Sequence, residues 1–191
     1  MPTLALAAGI GAVLASGFLA ASSAVAGRLG VFAFPALALI FHVSLPQKCQ
    51  VRLPKRALST CWVAWGIAAL YGHARGGSLP AGWDLVWVVI AAPLGEELLF
   101  RGWLWNVLDR TSRGRMLTPT NPLPTALWGT SLAFAIWHLQ NGGEYFQVAY
   151  TFWTGAWLGY LRWITGNLGW PVLAHVTLNL AGLPWLRLAA A

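Results

Sequence analysis

Six polar side chains carry the chemistry this sequence offers, and they come in three short groups. Glu96 and Glu97 are adjacent, with Arg101 four residues beyond Glu97; His138 follows Phe134 by four; Asn179 follows His175 by four. Residues four apart on a helix share a face, so Glu97 and Arg101 are placed to pair. Glu96 sits about 100° round the helix from Glu97 and about 140° from Arg101, by the 3.6-residue repeat. Arg101 is therefore expected to neutralise Glu97 and leave Glu96 free to titrate, which makes Glu96 the candidate base. A carboxylate and an imidazole around one water form a general-base pair. An imidazole and an amide can donate hydrogen bonds to a developing oxyanion. Glu96, His138, His175 and Asn179 together hold the parts that amide hydrolysis needs. Taken singly, each group has a plainer reading: a Glu–Arg pair locking helix packing, a buried or interfacial histidine, an interhelical imidazole and amide. The groups gain weight together, because little else ionisable lies within the apolar segments.

Those segments are what must position them. Seven apolar stretches are read as helices: Leu4–Ala26, Leu29–Leu45, Ala57–His73, Trp83–Leu108, Thr125–Gln140, Tyr145–Trp163 and Trp170–Leu186. The first is taken as a retained helix, since the charged start of a signal peptide is missing. Basic loops at Pro46–Arg56 and Asp109–Pro124, and Gly- or Pro-containing turns at Arg75–Gly82, Asn141–Glu144 and Thr165–Gly169, separate them. Pro93 should kink the fourth segment one turn before the carboxylates. Threaded from an inside N-terminus, Lys48, Arg52, Lys55, Arg56, Arg110, Arg113, Arg115 and Arg162 fall inside, and Arg28, Arg75 and Arg187 outside. That asymmetry predicts N-in and C-out. The expected fold is an all-α, polytopic transmembrane helix bundle of about seven spans, range six to eight at roughly 20 residues each, in one domain over residues 1–191.

Composition points the same way. Of 191 residues 58% are hydrophobic and 9% charged, against roughly 25% charged in a soluble domain. So few charges cannot cover a water-facing surface, and a lipid bilayer is the expected partner. Thirteen Trp residues suit a membrane interface. The net charge of +7 lies in the short loops, so it reads as membrane orientation and not as nucleic-acid binding. Cys49 and Cys61 form no metal-type pair and are expected to be free thiols.

Glu96-Glu97-Leu98-Leu99-Phe100-Arg101 reads EExxxR, Phe134–His138 reads FxxxH, and His175–Asn179 reads HxxxN. In this order, on three separate helices, the motifs resemble those of the CPBP family of intramembrane endopeptidases, the group that includes the CAAX prenyl proteases and bacteriocin-processing proteins. The resemblance covers roughly Pro93–Gly182 and is closest to the compact prokaryotic members. It implies a glutamic-type mechanism in which Glu96 and His138 activate water while His175 and Asn179 stabilise the oxyanion. Glu97, Arg101 and Phe134 match the supporting positions. It also implies a multi-pass protein of a prokaryotic inner membrane, acting on a membrane-associated protein or peptide.

Zinc is the alternative catalyst. His138, His175 and Glu96 can in principle supply the three ligands that zinc catalysis wants, but there is no HExxH and Asn179 is a poor ligand. The metal-free, cofactor-free reading is preferred. A proton-coupled transporter would also place Glu, His and Arg within the membrane, but the chain lacks internal symmetry or paired half-helices. A non-catalytic immunity or scaffold protein would tolerate loss of the motif residues, and every one is present. Substrate identity, the cleaved bond, prenyl recognition and oligomeric state stay open.

Overall fold

The computed structural model describes residues 55–76, 79–113, 124–141 and 145–183. The first two predicted segments, and with them Cys49, lie outside the described residues. The other five are all helical, and no strand occurs among the described residues, so the all-α expectation holds there. The first helix, α1, spans Lys55–Arg75. A continuous helical rod follows, made of α2 (Trp83–Val86), a π-helical stretch Trp87–Ala91, α3 (Ala92–Glu97), a second π-helical stretch Leu98–Leu104 and α4 (Trp105–Arg113). Helix α5 (Thr125–Trp137) tightens into a 3-10 turn over His138–Asn141. Helices α6 (Tyr145–Thr165) and α7 (Gly169–Ala181) complete the set.

Several boundaries differ from the sequence reading. The rod runs past Leu108 to Arg113, because charged residues end an apolar stretch without ending a helix. Helix α7 stops at Ala181 instead of continuing to Leu186. Pro93 acts through a widened turn that precedes it: the Ala92 N–H reaches back to the Trp87 carbonyl, five residues away. The count of about seven membrane spans is not reproduced. Among the described residues, no helix is both long and apolar enough to cross a membrane.

Glycines set how closely the helices approach. Helices α5 and α6 pack antiparallel with the largest interface in the fold. A Cβ on Gly155 would lie 3.3 Å from the Ser131 Cα, and one on Gly159 would lie 3.3 Å from the Leu127 Cγ. This is the small-xxx-small approach of closely packed helices. A Cβ on Gly72 of α1 would overlap the Gly182 carbonyl at the end of α7. Gly166, at φ 62°, ends α6 in the left-handed conformation that glycine adopts without a steric cost. Its N–H closes the helix on the Arg162 carbonyl at 3.0 Å. Helix α7 then starts where the Asn167 Oδ1 accepts the Gly169 N–H at 2.7 Å. Pro171 sits in its first turn, where no N–H is needed.

Among the described residues, polar and charged side chains share the interior with apolar ones, and many large apolar side chains lie at the surface. Glu97, Arg101, Thr130, Ser131, Gln147, Thr151, Arg162, Thr165 and His175 are buried. Trp62, Leu70, Trp83 and Phe146 are 72%, 73%, 82% and 69% exposed. The apolar core between the rod and α5 is built on Leu99, Phe100, Leu104 and Phe134. A second cluster of Trp105, Ala126, Leu127 and Ala156 joins the rod, α5 and α6.

Candidate active site

Glu96 and Glu97 occupy the end of α3, between the two π-helical stretches. Glu97 is fully buried. Its Oε1 accepts a hydrogen bond from Arg101 Nη1 at 2.7 Å, so the pairing expected from the four-residue spacing is present. The same oxygen accepts a second bond, from His175 Nδ1 of α7 at 2.9 Å. Arg101, also fully buried, donates Nη2 to the Gly155 carbonyl of α6 at 2.8 Å. An ionised carboxylate can only accept, so the hydrogen of His175 sits on Nδ1 and the other nitrogen is turned outward from Glu97. That nitrogen, Nε2, stands 3.8 Å from Glu96 Oε2. The separation is too long for a hydrogen bond, and the two groups face one another across it.

The elements thus form a chain of contacts: the α6 backbone holds Arg101, Arg101 holds Glu97, Glu97 orients His175, and His175 presents Nε2 to Glu96. A histidine oriented through one nitrogen by a buried carboxylate has a fixed tautomer and ring direction. Its free nitrogen accepts when the ring is neutral and donates when the ring is protonated.

His138 reaches the site through Phe134. Its Nδ1 lies 2.8 Å from the Phe134 carbonyl, which accepts the Nδ1 hydrogen and leaves Nε2 with its lone pair. The Phe134 ring touches His138 at 4.4 Å between centroids and meets His175 edge-on at 5.7 Å. The Arg101 guanidinium carbon lies 4.6 Å from the same ring centroid. Phe134 is therefore the apolar hub between both histidines and the arginine. Among the described residues there is no ion pair between His138 and Glu96 within 4.0 Å. Asn179, half-buried on α7, donates Nδ2 to the Val88 carbonyl of the rod at 2.8 Å.

Three contributors escaped the sequence reading. Gly155 supplies the carbonyl for Arg101, and its four-residue spacing from Gly159 was the available signal. The Val88 carbonyl holds Asn179, and no residue type announces a carbonyl. Arg162, counted among the orienting loop charges, is buried and donates Nε to the Arg101 carbonyl at 3.2 Å.

All of these site residues fall within 78–181, the stretch that matches the family described as type II CAAX prenyl endopeptidase Rce1-like. The match spans more than half of the chain. The chain belongs to the Rce1-like family of type II CAAX prenyl endopeptidases. The family so described is one of endopeptidases. A curated relative, CAAX prenyl protease 2 of Caenorhabditis elegans, is 33% identical over 112 residues, covering 52% of this chain and 40% of that protein. The match thus reaches less than half of the relative's length. No solved structure matches the chain.

Proposed function

We propose that this protein is an intramembrane endopeptidase that hydrolyses a peptide bond near the C-terminal or membrane-associated segment of a protein substrate. Glu96 and His138 activate the attacking water, and His175 and Asn179 steady the oxyanion. The observation that carries this reading is the buried Arg101–Glu97–His175 chain ending on Glu96. Burying a Glu–Arg pair for packing alone is often no better than apolar residues of similar volume. A pair whose carboxylate also orients an imidazole toward a second carboxylate does something that apolar residues cannot.

In the reaction, Glu96 takes a proton as the water attacks the substrate carbonyl, and His138 Nε2, the free nitrogen of its ring, serves as the second acceptor. Charge then develops on the carbonyl oxygen. His175, carrying a hydrogen on both ring nitrogens from the start of the cycle, donates Nε2–H toward it, and the Asn179 amide contributes a second donor. Removing one donor of this kind costs about 10²–10³ in kcat. The proton gained at Glu96 goes to the leaving amine as the bond breaks.

The membrane reading rests on the distribution of side chains. Among the described residues many large apolar side chains face outward while Glu97, Arg101 and Arg162 are buried, an arrangement suited to a lipid solvent. We place the chain as a multi-pass protein of about seven spans, N-terminus inside. The metal-free reading is part of the same proposal: cleavage should survive strong chelation in a metal-depleted preparation, and complete loss restored by zinc would overturn it. Substrate class is tested by expressing Glu96→Gln in cells lacking the wild-type protein and identifying accumulated membrane precursors by mass spectrometry. Normal processing by that variant would end the proposal.

A further inference from the structure

Two observations meet at the start of the rod. The Ala92 N–H, which in an α-helix would bond the Val88 carbonyl, goes instead to Trp87. The next residue, Pro93, is buried and has no N–H to offer. The Val88 carbonyl is therefore left without a backbone donor from either the four-residue or the five-residue repeat. Asn179 Nδ2 of α7 takes that place at 2.8 Å.

We infer that Pro93 is a positioning residue for Asn179. Its missing N–H reserves the Val88 carbonyl for the Asn179 carboxamide and fixes the direction of that group. A carboxamide nitrogen carries two hydrogens. One is held by Val88, and the fixed geometry aims the other, so the amide is set before substrate arrives. Preorganised donors of this kind need no rearrangement at the moment of reaction. The inference goes past a simple proline kink: it assigns the effect to an absent hydrogen-bond donor and not to the pyrrolidine ring. It rests on the proposed oxyanion role of Asn179.

Pro93→Ala supplies the N–H, which competes with Asn179 for the Val88 carbonyl. In proteoliposomes holding the full chain, kcat should fall about tenfold or more with KM little changed, the signature of a lost transition-state contact. The same side chain can be installed without the N–H by placing lactic acid at position 93, so that an ester replaces the amide. That variant should keep near wild-type kcat. In an Asn179→Ala background, Pro93→Ala should have almost no further effect. Equal losses in the alanine and ester variants, or an undiminished effect of Pro93→Ala without Asn179, would overturn the inference.

A second measurement leaves Pro93 in place. With valine labelled at its carbonyl carbon, the Val88 signal in NMR should shift on Asn179→Ala. An unchanged signal overturns the inference even if Pro93→Ala fails to fold. Because this reading needs no turnover, its failure is distinct from failure of the endopeptidase reading, which would show as absent cleavage by the wild-type protein.

Discussion

Glu97 Oε1 accepts bonds from two elements at once, Arg101 of the rod and His175 of α7. Arg101→Ala would leave the buried Glu97 carboxylate without its cationic partner, held by His175 alone, and would remove the side-chain donor to the Gly155 carbonyl. Breaking a buried pair by removing one partner costs about 3–5 kcal/mol, and chemical unfolding in detergent should show a loss of that order. Arg101→Lys keeps the charge but loses the planar fork that serves both acceptors. It should recover part of the stability and little of the activity. The Glu97–Arg101 pairing was legible from spacing because both partners lie on one helix. That His175 bonds Glu97 and faces Glu96 was not, since two adjacent side chains diverge by about 100° and only the packing of α7 decides which one it meets. Nor could sequence show that the Arg162 guanidinium would turn inward to the Arg101 carbonyl.

At the scale of elements, the α5–α6 interface is set by what is missing from Gly155. A Cβ there would lie 3.2 Å from Arg101 Nη2 and from Phe134 Cδ1, and 3.3 Å from the Ser131 backbone. Gly155→Ala should therefore cost about 1–3 kcal/mol by overpacking and lower kcat by disturbing Arg101 and Phe134. Gly66, exposed on α1, has nothing within 4 Å of an added Cβ. Gly66→Ala should instead stabilise the helix by about 0.4–1 kcal/mol, and paired thermal-unfolding curves distinguish the two. The existence of each described helix was readable from apolar segment length and turn residues. The π-helical stretches were not. Pro93 is a local mark of the first, but which side chain on another helix supplies the replacement donor, as Asn179 does for Val88, is not written in local sequence.

Among the described residues, the molecule buries Glu97, Arg101 and Arg162 and leaves many aromatic and aliphatic side chains facing outward. Its low charge content made that arrangement readable from composition alone, whereas span number was not readable, because helix ends and apolar ends differ, as at Arg113. An exterior of this kind predicts that the protein stays in the membrane pellet through alkaline carbonate washing and leaves it only with detergent. Recovery in the carbonate supernatant would contradict the bilayer reading. Assembly of the site draws on four packed elements: the rod supplies Glu96, α5 ends in His138, α6 anchors Arg101, and α7 brings His175. The most direct test of that convergence is single-turnover cleavage of a membrane-anchored peptide by reconstituted Glu96→Gln. The account predicts a rate lower by about 10²–10⁴, the range of general-base catalysis, with an unchanged unfolding midpoint. A rate within about threefold of wild type, a difference of under 1 kcal/mol in the barrier, would contradict it.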